Sequence, residues 1–579
     1  MSQKTITKSN RIISGVDNDM KPTNRVLYNA DCNTYFYNYL KGTDAWQKAG
    51  SLHGEFSPKA IHAYVDLLTR NGVDTLVYNP NTQRAWWPSK TTPKVWDGYR
   101  RGNAAYFYGH ILGQSMTPEQ VETQLKNLTD MMDRYLDLVQ NGVDLLSETS
   151  KACRHHRISP WLSIRMNDMH GANNLAGSFM NSPLLAHKEF RLEGHRLETK
   201  GSNPRNQALN YEKREVRDYM FTMIRELIED YDFEGIELDW TRHAYCCNPV
   251  ASQKTIDTLT GWHKEIAQLC RKKSNKTARP YHFGVRSAAN FPQLRHIGLD
   301  VVEMAREGFL DFVCPTRAGW TTTWDLDYER MRGIFGKKVT IYGVVETAPN
   351  WLPAHNPKLQ LRQRYRSLPA SPAMVWGNAA GKLAAGADGI EIFNYFCSQR
   401  PDYTAIKNVG DLKKLRGKRK FYAFSAGFED WGVRTFLEVD EHLPQWFEPT
   451  TQRRFRIPMC AEPEGTELTI QVIIEKPLDG RKLPDFGVSF NESWPNWTSL
   501  QTNELLEPAD NLTHHAPENI ALNFRFPSSA IRENWNDIIL ILGGFDPVDP
   551  VKRREQGIKV VGLELLVDKP KPPSKKYSK

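Results

Sequence analysis

The stretch Phe233-Glu234-Gly235-Ile236-Glu237-Leu238-Asp239-Trp240 decides how the rest of the chain is read. Successive side chains on a strand point to opposite faces. Ile236 and Leu238 therefore share one face, and Glu237 and Asp239 share the other. A buried charge has to be paired or neutralised, so an ordinary core strand does not carry two acids on one face. A strand that carries them at its C-terminal end, just before a loop, is a candidate for acid–base chemistry.

Outward from this strand, the chain from Asn24 to about Phe396 alternates short β-branched runs with longer amphipathic segments. Strands are expected at Arg25–Asn29, Thr75–Asn79, Trp161–Asn167, Gly235–Trp240, His282–Ser287, Phe312–Pro315, Val339–Val345 and Gly389–Asn394. Stretches such as Glu212–Tyr231 and Ile256–Lys273 have helical periodicity. Eight strands interleaved with helices predict an α/β fold, a (β/α)8 barrel with loop insertions. A doubly wound open sheet would show a glycine-rich phosphate turn after its first strand, and the sequence has none.

Beyond Gly410 the pattern changes. A basic connector, Lys413–Lys420, leads into alternating segments at Leu468–Ile474, Pro484–Phe490, Ala521–Phe526, Ile538–Leu542 and Val560–Val567. Pro, Asn and Gly turns between them predict a β-sandwich. The expected organisation is an N-terminal extension (1–23), a barrel (24–410), a sandwich (411–568) that binds polysaccharide or braces the barrel, and a Pro/Lys-rich tail (569–579). The tail lacks the apolar content to order itself.

The 579 residues fit two or three domains. Forty per cent apolar and 25% charged residues are ordinary for a globular protein. The formal charge of +9 is mild for this length and no compact basic patch stands out, so no nucleic-acid partner is expected. The eight cysteines include the vicinal pair Cys246–Cys247 but no CxxC, which points to reduced thiols and no structural zinc. Met1–Met20 is polar with no apolar leader, and no run is long enough to span a membrane, so the expectation is a cytoplasmic protein. A chain whose leader had been removed would look the same.

In barrels the active site lies at the C-terminal ends of the strands. Those ends deliver Asn29 and Asp31; Asn79 and Asn81, followed by Trp86 and Trp87; Arg165, Asn167, Asp168 and His170; Glu237, Asp239, Arg242 and His243; Arg286 and Asn290; Arg317 and Trp320; Glu346 and Trp351; and Glu391, Asn394 and Tyr395. So many polar ends, with no phosphate loop or metal motif, suit a hydroxyl-rich ligand. The tryptophans Trp86, Trp87, Trp320 and Trp351 suit stacking on sugar rings. No cofactor is expected, and two histidines without a third ligand at fixed spacing do not define a metal site.

Cleavage of a glycosidic bond needs two carboxyl groups, one protonating the leaving oxygen and one acting as nucleophile or as base toward water. Asp239 and Glu346 are the first pair, with Glu237 and Glu391 as alternates. Two acids on one strand also push each other's pKa values apart. The competing reading is that Glu237 lies deeper and pairs with Arg165 or Arg286.

Glu234-Gly235-Ile236-Glu237-Leu238-Asp239-Trp240 resembles the DGxDxDxE strand of the chitinase-type (family 18) glycoside hydrolases. The final glutamate of that motif is the family's proton donor, and Thr241 stands in its place here. Ala387-Asp388-Gly389-Ile390-Glu391-Ile392-Phe393-Asn394-Tyr395 resembles the eighth strand of a broader group of glycosyl-hydrolase-like barrels. These resemblances imply a barrel and a polysaccharide-derived substrate. Three strand-end arginines, Arg165, Arg286 and Arg317, could bind sulfate or carboxylate, which points to an acidic glycan; equally, they could neutralise Glu237, Asp168 and Asp239. The expected function is hydrolysis of an oligosaccharide or polysaccharide. The rivals are a catalytically silent carbohydrate-binding barrel and a uronate lyase or isomerase using His170 or Tyr395 as base.

Overall fold

The computed structural model describes residues 22–32, 34, 57–114, 116–193, 207–316, 322–346, 370–395, 402–424, 442–475, 485–498, 502–509, 512–515, 519–544 and 549–569. Eight parallel strands close into a barrel in chain order: β1 (Val26–Asp31), β2 (Thr75–Asn79), β3 (Ser159–Arg165), β4 (Gly235–Asp239), β5 (His282–Ala288), β6 (Phe312–Thr316), β7 (Thr340–Glu346) and β8 (Gly389–Phe393). β1 pairs β8 with Tyr28 opposite Ile392, which closes the ring. Each expected barrel strand has its counterpart within a few residues at either end.

The covering helices include α1 (Pro58–Arg70), α2 (Pro118–Gln140), α3 (Leu145–His155), α4 (Arg214–Asp230), α5 (Gln253–Thr277), α6 (Phe291–His296), α7 (Val301–Arg306), α8 (Tyr328–Phe335) and α9 (Pro372–Ala384). Their local signals are strong. Thr117 and Gln120 close a capping box at the start of α2, and Ser252 caps α5 by accepting from the Thr255 N–H. On α4, Val216, Met220, Met223, Ile224 and Leu227 are buried at helical spacing, forming the stripe that lies on the sheet.

Inside the barrel the lower layer is apolar: Leu27, Val77, Trp161, Phe312, Cys314, Tyr342, Val344 and Phe393 form one buried cluster. Two glycines make room for it. A Cβ on Gly235 would lie 2.9 Å from the Trp161 ring, and one on Gly284 2.5 Å from the Phe312 ring. The polar residues sit above this floor, toward the C-terminal mouth.

The C-terminal unit is a β-sandwich. One antiparallel sheet has the order β10 (Gln445–Phe447), β19 (Ile558–Asp568), β12 (Glu467–Glu475), β17 (Asn519–Pro527) and β14 (Trp497–Thr498), with β9 (Lys420–Ala423) also pairing β19. The second has the order β11 (Gln452–Met459), β18 (Asn534–Leu542) and β13 (Phe486–Phe490). Ring contacts between the sheets, Phe490 with Phe526 and Phe486 with Phe524, mark the core. A small hairpin, β15 (Glu504–Ala509) with β16 (Leu512–His514), completes the strands.

The basic connector Lys413–Lys420 is not a plain linker. It contains a short helical turn, Leu412–Leu415, and ends in β9, where Lys420 is buried and paired with Glu462 at 2.8 Å. Helix α9 binds the two units together. Gly377 and Gly381 let its backbone approach Phe421 of β9 and Pro458 of β11 so closely that a Cβ would meet their carbonyl oxygens at 2.0 and 2.6 Å. The seven described cysteines are free thiols. Among the described residues no helix is long and apolar enough to cross a membrane.

Candidate active site

The register of β3, β4 and β5 sets Arg165 beside Asp239 and Asp239 beside Arg286. These inward positions at the strand ends build the mouth of the barrel. Arg286 is its hub. Its Nη1 donates to Asp239 Oδ1 at 3.2 Å and its Nη2 to Glu346 Oε1 at 2.5 Å, while Nε lies 3.6 Å from Glu391 Oε2. The guanidinium stacks on the Phe393 ring, 3.4 Å from its centre. Burial disfavours its charge, but Asp239, Glu346, Glu391 and Glu237 together hold the pKa above the ordinary arginine value.

Asp239 is fixed as an acceptor. Its Oδ1 receives the Thr241 N–H (2.9 Å), the Thr241 hydroxyl (2.7 Å) and the Arg242 N–H (3.1 Å) besides Arg286. Arg286 also donates to the Thr241 hydroxyl oxygen. The residue standing where the chitinase motif has its glutamate thus tethers Arg286 to Asp239. Glu346 ends β7, and burial, opposed by Arg286, pushes its carboxyl up to about 7.

Glu237 and Glu391 lie deeper, both unexposed. One amide, Asn29 Nδ2, donates to Oε1 of each, at 3.1 and 2.9 Å, and the Ser163 hydroxyl donates to Glu237 at 2.7 Å. Burial, then the neighbouring Glu391 and Asp239, raises the Glu237 pKa well above the carboxylate range; burial also raises that of Glu391, against Arg286. Cys314 faces both acids, and burial with their charges pushes its thiol up. Among the described residues, Glu237, Cys314 and Glu391 form the one group whose ligand atoms lie close enough, within 4.8 Å of one another, to hold a metal.

A second constellation rises from β3. Arg165 pairs with Asp31 and, at 3.3 Å, with Asp168. Asp168 Oδ1 accepts from His170 Nδ1 at 2.6 Å, and Nε2 of the same ring accepts from Arg242 Nη2 at 2.8 Å. These partners fix the neutral tautomer with the proton on Nδ1. Burial, then Arg242, lowers the His170 pKa against the opposing pull of Asp168. Despite burial, His170 and Arg165 draw Asp168 well below the usual range. The His170 ring is 35% exposed, far more open than Asp168 or Arg165. His243, in a left-handed conformation (φ 63°), accepts the Met169 N–H on Nδ1.

Several expected ligand contacts are engaged elsewhere. Trp86 and Trp87 are buried in the hydrophobic core and offer no face to a sugar. Asn167 bridges the backbone at Leu209 and Tyr245, and the Tyr395 hydroxyl donates to the Asp402 carbonyl. Asn394 is 9% exposed, with a positive φ of 55° at the end of β8. Arg165 and Arg286 are spent on internal carboxylates; among the described strand-end arginines, Arg242 is partly exposed. Arg317, Trp320 and Trp351 lie outside the described residues. Cys314 and Ser163 were not anticipated as partners of the acids; strand alternation with a known register would have found them, since Ser163 stands directly opposite Glu237.

No protein-family model and no curated protein matches this chain. Among solved structures it is similar to a chitinase from a Paenibacillus species at 11% identity, over 86% of this chain and 39% of that one, with a TM-score of 0.35. An α-L-fucosidase from a Vibrio species is similar at 10% identity, over 94% and 96% of the two chains, with a TM-score of 0.34. A cycloisomaltooligosaccharide glucanotransferase from Paenibacillus is similar at 9% identity and a TM-score of 0.29; that match covers 93% of this chain and 57% of the enzyme, so the chain spans little more than half its length.

Proposed function

We propose that the barrel is a glycoside hydrolase acting on an oligosaccharide or polysaccharide through Asp239 and Glu346. The observation that carries this reading is the single guanidinium of Arg286 bridging those two carboxyl groups at the ends of β4 and β7. Glu346, with its pKa raised to about 7, holds a proton near neutrality and serves as the acid toward the leaving oxygen. Asp239, with donors converging on Oδ1, acts as nucleophile or as base toward water. Glu237 and Glu391 support Arg286 from below. Asp239→Asn and Glu346→Gln should each lower turnover by roughly 10²–10⁴-fold with ligand affinity kept, read by mass on a panel of charged and neutral oligosaccharides. Unchanged turnover in both variants would remove the pair from catalysis. Binding without any turnover in the unaltered protein would make it a carbohydrate-binding barrel.

A second reading is favoured by the Asp168–His170 pair: Nε2 accepts from Arg242, and a substrate carboxylate that took Arg242 over would free that nitrogen as a base. That arrangement suits proton abstraction next to a uronate carboxylate, with Arg242 binding the acid. Product mass separates the two, because a lyase yields an unsaturated end and adds no water.

A further inference from the structure

The outer face of the three-stranded sheet has a composition its core does not explain. On β18, Trp535, Asp537, Ile539 and Ile541 alternate with the buried Asn536, Ile538, Leu540 and Leu542, so they line the outward side. Opposite them on β11 stand Arg456, beside Asp537, and Arg454, beside Ile539. Gly487 of β13 stands opposite Ile541, and the Trp494 ring lies 3.8 Å from where a Gly487 Cβ would be. The face therefore has an indole at each end, separated by six residues of β18, or ~20 Å at about 3.3 Å per residue.

Trp494 is 64% exposed, a large apolar surface to leave in water. The backbone turn that carries it is pinned. Phe490 and Ser493 exchange backbone hydrogen bonds at 3.0 and 2.9 Å around Asn491 and Glu492, whose φ values are 47° and 68°. This is the two-residue hairpin turn with both central residues left-handed. The Asn491 side chain locks the turn, donating to Ala530 O and Asn536 Oδ1 and accepting from the Asp537 N–H. Holding that backbone in place beforehand reduces the entropy lost on binding.

Between the indoles, two guanidinium groups share one carboxylate. Arg454 grips Asp537 with two bonds of 2.9 and 2.6 Å, and Arg456 reaches it at 3.2 Å while lying over the Trp535 ring at 4.9 Å. Both arginines are more than half exposed. One positive charge is left over, and the forks are oriented by Asp537 and Trp535. Flat rings suit the C–H faces of sugars, and a surplus fork suits sulfate or carboxylate. We infer that this face of the sandwich binds an anionic polysaccharide, lying along β18 with sugar rings on Trp494 and Trp535 and acidic groups at Arg454 and Arg456. The inference does not depend on what the barrel catalyses.

Electrophoresis of the full chain through native gels containing fucoidan, alginate or neutral laminarin tests it. The chain should be retarded by the acidic polymers and not by laminarin. Trp494→Ala, which leaves the charge unchanged, should weaken retardation roughly tenfold in apparent Kd, and Arg456→Gln should weaken it as well. No retardation by either acidic polymer, retardation by laminarin alone, or unchanged retardation in Trp494→Ala would overturn the inference.

Discussion

Glu346 is the residue on which the proposed chemistry and the pH response meet. Its carboxyl ordinarily releases its proton near 4.5 and here does so at about 7. Between those values the folded protein holds a proton that the unfolded chain has lost, so this residue makes stability fall as pH rises across the window and level off above it. Glu346→Gln should flatten that slope in denaturant midpoints measured from pH 4.5 to 7.5; an unchanged slope would show that the carboxyl does not titrate there. As the acid of the proposed reaction, Glu346 should also set the basic limb of the kcat/KM profile, with activity declining above about pH 7. Arg286 is its counterpart. Arg286→Met keeps an unbranched apolar stem but leaves buried Asp239, Glu346 and Glu391 without a counter-ion, a loss of ~3–5 kcal/mol. The loss should be larger at pH 8 than at pH 5, where Glu346 takes up a proton instead. An equal loss at both would indicate that packing against Phe393, not charge, is what Arg286 supplies.

Among the elements, β4 and α9 place the most on small residues. In β4, Gly235 yields its space to Trp161, so the acids above rest on an aromatic floor. In α9, Gly377 and Gly381 give up helix propensity, about 1 kcal/mol each relative to Ala, for close approach to β9 and β11. Gly377→Ala should therefore destabilise by ~1–3 kcal/mol through overpacking, despite the better propensity, because its Cβ would meet Phe421 O at 2.0 Å. A raised Tm would mean that the helix can shift away from the sheet. Fold and site differ in legibility at this scale. All eight barrel strands were evident as β-branched runs between amphipathic segments. In the sandwich, β9, β10, β14 and β16 were not, because two to four residues carry too little periodicity to read; β11 and β15 were missed as well, β11 because Arg453, Arg454 and Arg456 interrupt its apolar pattern.

For the whole molecule, the glycine seam of α9 and the hydrogen bond from Asn534 of β18 to Glu329 of α8 join barrel and sandwich. The two units should unfold together. Calorimetry on the full chain is expected to show one transition, and a barrel ending near residue 410 should lose Tm once the α9 face is exposed to water. Two separable transitions would mean that the sandwich is an independent passenger.

The barrel was legible in the sequence alone, because strand and helix periods are local and repeat eight times. The sequence also determined that Glu237 and Asp239 share a face, because alternation is a property of the strand alone. Which acids meet, and what holds them, depends on barrel closure. That closure sets Arg286 between Asp239 and Glu346, residues far apart in the chain. It sinks Glu237 and Glu391 beneath that arginine around one asparagine amide, and it turns Trp86 and Trp87 into the core. A strand pattern gives a residue's side of the sheet but not its depth in the barrel; depth follows from register with neighbours that only the closed fold brings together.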